Sequence, residues 1–182
     1  LWLDAGVFAS HIGAESAIGL DCMTLTRSLM AENSPYYEAG ARLTYKPNAR
    51  WVLAGLLLNG WQRIQRPDGF TKLSFGTQVQ YVGTGGTTVN WSTFAGTDTP
   101  DSVGLTRLYS DLYATVKGDD FAMNLGFDLG RQERADGGGM DGWLSGAGIY
   151  RQRFAKRWWG VGRMEYFLDD QSVIIPEANL LG

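Results

Sequence analysis

The sequence predicts an all-β fold: an antiparallel, up-and-down transmembrane β-barrel with about nine strands present. Three observations predict it. First, apolar and polar residues alternate with a period of two. Tyr37, Ala39, Ala41, Leu43 and Tyr45 oppose Glu38, Gly40, Arg42 and Thr44. Successive side chains of a strand point to opposite faces, so such a stretch has one apolar and one polar side. Second, the stretches are long. A strand tilted at about 45° needs roughly 9–11 residues to cross hydrocarbon, whereas strands in soluble proteins average about 5–6. Third, the connections alternate between short and long, as in a barrel with short periplasmic turns and long extracellular loops.

Each element follows from local pattern. The first strand is expected over 1–9, with Leu1, Leu3, Ala5 and Val7 opposite Trp2, Asp4, Gly6 and Phe8. A long connection runs from Ser10 to Pro35. The second strand covers 36–46 and ends in Pro47-Asn48-Ala49, residues suited to a tight turn. The third, 50–61, is nearly all apolar from Trp51 to Leu58. The fourth, 71–83, sets Leu73, Phe75, Val79 and Tyr81 against Ser74, Gly76, Gln78 and Gln80. Thr84-Gly85-Gly86-Thr87 is hairpin chemistry. The fifth, 88–96, turns Val89, Trp91, Thr93 and Ala95 outward. The sixth, 105–117, puts Leu108, Leu112, Ala114 and Val116 opposite Arg107, Tyr109, Asp111, Thr115 and Lys117. The seventh, 120–132, alternates Phe121, Met123, Leu125, Phe127 and Leu129 with Ala122, Asn124, Gly126, Asp128 and Gly130. The eighth and ninth cover 142–154 and 158–169.

The faces sort by charge. Glu38, Arg42, Arg107, Asp111, Asp128, Arg163 and Glu165 all fall on the parity opposite the apolar one, and these are the candidate pore-lining residues. A Lys or Arg at mid-membrane on the lipid side would cost about 2–4 kcal/mol. Gly40, Gly76, Gly126 and Gly130 share the charged parity and are expected to open lumen space. Tyr36, Tyr45, Trp51, Trp61, Tyr81, Trp143, Trp158 and Tyr166 lie near strand ends, where interfacial girdles form.

Composition agrees. The 182 residues, 1–182, make a single domain with a net charge of −3, which gives no basic surface for nucleic acid. Charged residues are only 19%, and 44% hydrophobic residues exclude disorder. No apolar run is long enough for a transmembrane helix. Chemistry is sparse. His11 is the only histidine and Cys22 the only cysteine, so neither a metal site nor an internal disulfide is expected. His11 reads as a solvated loop residue. The glycine runs at 83–86 and 137–139 lack a following Gly-Lys-Ser/Thr and are turns. No nucleophile-elbow motif suggests a hydrolase. No enzyme activity, cofactor or metal is expected.

Three blocks carry a resemblance: LWLDAGVFASHIGAESAI from Leu1, LTRSLMAENSPYYEAGARLTY from Leu25 and WVLAGLLLNGWQ from Trp51. They resemble the OmpL-like β-barrel porin-2 family of bacterial outer membranes. The resemblance implies an outer-membrane barrel acting as a passive pore, with outer-membrane lipid outside and small hydrophilic solutes or ions inside. It leaves a homo-oligomer open. Members of that family are longer and bacterial barrels have even strand numbers, so this chain is expected to be part of a larger barrel. Rings of mixed charge in a wet lumen set ion selectivity, though the same charges could simply pair across strands. Ser10–Pro35, with Glu15, Asp21, Arg27 and Glu32, could fold inward as a constriction or form an ordinary loop. The alternative reading is a soluble barrel with apolar residues inside and a small apolar ligand; a further one is a membrane enzyme or adhesin working through its loops.

Overall fold

The computed structural model describes residues 1–176. Among the described residues there are nine strands: β1 Trp2–Ala9, β2 Tyr37–Tyr45, β3 Trp51–Leu58, β4 Ser74–Val82, β5 Thr87–Thr97, β6 Thr106–Lys117, β7 Phe121–Glu133, β8 Met140–Ala155 and β9 Trp158–Leu168. Each pairs antiparallel with the next, in chain order. The sheet is up-and-down and is not closed. No helix among the described residues is long and apolar enough to cross a membrane.

Turn chemistry fixes several registers. Between β2 and β3 the Asn48 side-chain oxygen accepts the Arg50 N–H at 2.9 Å. This closes the turn that sets Tyr45 opposite Leu53. Between β6 and β7 the Gly118 N–H donates to the Phe121 carbonyl at 2.9 Å. The resulting pairing places Asp111 opposite Asp128 and Leu112 opposite Phe127. A one-residue slip would exchange the two faces.

The outer face is apolar and uncovered. Leu43, Leu53, Phe75, Trp91, Leu112, Leu125, Phe127 and Met164 are all exposed. Trp51 and Tyr81 sit side by side at the short-turn end, ring centroids 5.1 Å apart. The inner face is where the chain buries itself. Leu56 and Leu58 from β3, Phe94 from β5, Tyr109 from β6 and Trp143 from β8 converge on one cluster, joined by Ile12 from the β1–β2 connection. Residues from β3 to β8 meet there because the sheet curls about its inner face.

The girdle expectation is corrected for three residues. Trp143 and Trp61 do not stand in an interfacial girdle. Trp143 is 2% exposed inside the curl, and Trp61 packs edge-on against Phe94 and Tyr109 at 4.9 and 5.0 Å. Trp143 lies near the start of β8 on its inward parity, and Trp61 lies in the loop after β3, which ends at Leu58 rather than at the expected residue 61. Tyr36 lies just before β2 and bonds through its hydroxyl to Glu32, which also takes it out of the girdle.

The face assignment makes a quantitative prediction. Leu125 lies mid-strand in β7 on the outer face and is 50% exposed. Leu125→Arg should destabilise insertion by about 2–4 kcal/mol. Urea titration of the protein folded into lipid vesicles measures this, and an unchanged midpoint would refute the lipid-facing parity.

Candidate functional site

The site is the inner face together with the chain segment that enters it. Residues 10–36, which connect β1 to β2, leave and return at the long-loop end, where the Ser10 N–H donates to the Tyr36 carbonyl at 3.2 Å. Between those points the segment runs across the lumen. Cys22 and Met23 reach residues at the short-turn end, sharing a cavity wall with Gly86 and Lys117. A short helix, α1 (Leu29–Glu32), carries the chain back up. Ser28 caps it by accepting the Ala31 N–H at 3.2 Å, and Glu15 accepts the Ser28 N–H at 3.2 Å.

His11 fastens this segment to the wall. Its Nε2–H donates to the Thr93 carbonyl of β5 at 2.8 Å. A carbonyl only accepts, so Nε2 carries hydrogen. Nδ1 lies 2.8 Å from Glu38 Oε2 on β2, a contact that requires one proton between the two atoms. Both side chains are fully buried. The His11 carbonyl in turn accepts the Ser92 hydroxyl at 2.6 Å. His11 therefore spans β2 and β5, and the expectation of a solvated loop residue is corrected. Its burial depends on contacts distant in sequence, which a lone histidine in a loop pattern does not announce.

The inward glycines are also corrected. Gly76 does not open the lumen, because a Cβ there would lie 2.8 Å from His11 Nε2. Gly126 makes the same room for Met30, whose methyl would stand 2.4 Å from such a Cβ. Gly130 lies beneath Trp143. The space left by missing side chains is filled by the segment and by an inward tryptophan. Backbone room at these points admits large side chains from elsewhere in the chain.

The seven charged residues all face inward, but they do not form one ring. Glu38 is committed to His11. Arg42 donates to Asp4 at 2.9 and 3.0 Å from two nitrogens. This pair lines a cavity of about 650 Å³ at the short-turn end, with Trp2, Lys46, Gln78 and Gln80. Asp111 and Asp128 stand opposite each other on β6 and β7 and are buried. Ser145 donates to Asp128 at 3.4 Å. Like charges directly opposite on adjacent strands repel, so such donors matter. Arg163 and Glu165 on β9 hold the returning chain. Glu165 accepts the Leu29 N–H at 2.8 Å, at the start of α1, and Arg163 donates to the Thr26 backbone and hydroxyl.

Arg107 lies at the long-loop mouth. Its Nε and Nη2 donate to Gln132 Oε1 at 2.9 and 2.6 Å. Its guanidinium carbon lies 5.2 Å from the Trp61 ring centre and 5.8 Å from that of Trp143, within cation–π range. Asp98 bridges Arg107 to Arg63, accepting the Arg63 Nε–H at 2.8 Å. Arg63 and Asp98 carried no sequence signal beyond loop charge. Nearby Asp101 fastens the β3–β4 loop to the β5–β6 loop. The Thr71 hydroxyl and N–H donate to it at 2.6 and 2.8 Å and hold its carboxyl below the usual carboxylate range.

This curled sheet, with an uncovered apolar outer face, inward charges and a segment laid through it, has the architecture of a transmembrane β-barrel wall. Residues 1–180 match the family model described as "Putative beta-barrel porin-2, OmpL-like". The chain belongs to this family. No curated relative and no solved structure matches it. Within this OmpL-like porin the resemblance carried by the first 62 residues thus extends over nearly the whole chain. The later strands, which match the family only in style when read alone, fall inside the same match.

Proposed function

We propose that this OmpL-like porin sits in the bacterial outer membrane and lets ions or small hydrophilic solutes diffuse through a lumen narrowed by residues 10–36. The observation that carries the reading is the sorting of faces. Every one of the seven charged candidates faces inward, while exposed leucines, phenylalanines and tryptophans cover the outer face. An exposed apolar belt of this extent on a water-soluble protein would drive association, whereas lipid covers it in a membrane. The uncovered apolar outer face argues against the soluble barrel.

Diffusion requires wet surface at both ends. At the short-turn end Asp4, Arg42, Lys46, Gln78 and Gln80 supply it. At the mouth Arg63, Asp98 and Arg107 do so. Between them the wall carries Glu38, Asp111 and Asp128, covered by the inserted segment. Mixed charge at the two ends of this path, Asp4 with Arg42 and Lys46 and Asp98 with Arg63 and Arg107, would set a transverse field and favour hydrated solutes. Arg163 and Glu165 act on the path indirectly, by holding the segment against β9.

Planar bilayers provide the test. Stepwise conductance is the expected result for the intact protein, together with flux of small sugars or ions into loaded vesicles. A properly inserted protein with neither conductance nor flux would overturn the porin reading.

A further inference from the structure

We infer that the pocket at the long-loop mouth binds a small, hydroxyl-rich carboxylate through Arg63 and Arg107. The inference rests on the porin reading in taking this pocket as the opening of the lumen. It concerns a ligand class that the general porin activity does not specify.

The pocket holds about 500 Å³ between the end of α1, the β3–β4 loop and the start of β6. That volume suits a molecule the size of a monosaccharide. Two guanidinium groups face it, against the single carboxylate of Asp98 that joins them. Glu32, also on its wall, is occupied by Arg27 at 3.1 Å and by the Tyr36 hydroxyl. The local balance is therefore positive.

Donor capacity points the same way. An arginine has five N–H donors. Arg63 directs its Nε to the Asp98 carboxylate and its Nη2 to the Asp98 backbone carbonyl, at 2.8 and 3.1 Å. Among the described residues no acceptor meets its Nη1. Arg107 spends two nitrogens on Gln132 and reaches Asp98 only at 3.5 Å. Both groups are held in place, Arg63 over the Phe70 ring at 4.4 Å and Arg107 over Trp61. Fixed guanidinium groups with spare donors are suited to a carboxylate, which accepts two parallel N–H bonds. The remaining wall is partly polar, with Asn33, Ser34 and Gln62, and partly apolar, with Trp61, Val173 and Ile174, a division that suits the two faces of a sugar ring. Asn33 spends its Nδ2 on the Leu29 carbonyl, Gln62 its Oε1 on the Tyr36 N–H and Ser34 its hydroxyl hydrogen on the Ala31 carbonyl, which leaves the Asn33 Oδ1, the Gln62 Nε2 and the Ser34 oxygen to meet ligand hydroxyls.

Glucuronate and glucose form a matched pair of probes, since they differ only in the carboxylate. Isothermal titration of the detergent-solubilised protein should give saturable glucuronate binding, with glucose at least about tenfold weaker. Arg63→Met should weaken glucuronate by about tenfold, the loss of one charged hydrogen-bond donor. Asp98→Asn should tighten it, because it removes the competing carboxylate, a direction that damage to the pocket would not produce. Equal binding of the two probes, no saturable glucuronate binding, an unchanged Arg63→Met or a weaker Asp98→Asn would each overturn the inference. The titration needs no current. A protein that conducts but ignores glucuronate keeps the porin reading and loses this one, and a protein that binds glucuronate without conducting does the reverse.

Discussion

Replacing residues 11–35 with a turn of about four residues is expected to raise single-channel conductance several-fold. The geometry permits the change. Ser10 and Tyr36 already share a hydrogen bond at 3.2 Å, so a tight connection can join β1 to β2 without moving either. What is lost is the material in the lumen: the buried side chains of His11, Ile12, Met30 and Ala31, and the backbone that carries them. Conductance depends on the narrowest wetted section, and this segment occupies the inner face from mouth to short-turn end. The measurement is a current–voltage series in planar bilayers, parent against variant. Equal conductance would mean that current does not pass where the segment lies.

The second large effect is expected from His11→Ala. The substitution removes the partner of a fully buried Glu38 carboxyl and leaves the Thr93 carbonyl without its donor. Breaking a buried charged pair from one side costs about 3–5 kcal/mol, mostly because the remaining group stays buried and uncompensated. The segment should loosen before the sheet does, since the strands keep their own ladders. Two readouts separate these events. Trypsin should cut after Arg27 in the variant and spare the parent, in which Arg27 is tied to Ala17 and Glu32. The denaturant midpoint should also fall. A double change, His11→Leu with Glu38→Leu, should recover much of the loss, because an apolar pair leaves no orphaned charge. A single-variant cost below about 1 kcal/mol would show that the latch carries little.

The sheet was legible because its signal is periodic. All nine strands lie within three residues of the expected ends, and the inward parity of β4, β6 and β7 is as the alternation implies. Period two is a property of each strand alone and needs no partner to be read. The contents of the lumen were not legible in that way. β3 is apolar on both faces, so nothing local distinguishes Leu56 and Leu58, which join the cluster with Ile12, from Leu53 and Leu57, which lie exposed on the outer face. Trp143 reads as a girdle residue until its parity is tied to Ser145 and Ala147, which are buried beside it. His11 has no neighbour in sequence that predicts Glu38 or Thr93. One signal was present in plain view: Gly76 and Gly126, on the inner face of long strands, mark places where something large must approach.

The count of strands has a consequence for how the wall can be completed. Each strand reverses the one before it, so β1 and β9, the first and the ninth, run in the same direction across the membrane. Among the described residues each is paired on one side only. Their free amides and carbonyls, along eight residues of β1 and eleven of β9, cannot be left facing hydrocarbon, where every unpaired group costs several kcal/mol. A seam made by these two edges directly would have to be parallel. An antiparallel seam, the rule elsewhere in this sheet, requires an odd number of strands between them, whether one, three or more. Parity therefore decides the kind of closure before any side chain is considered.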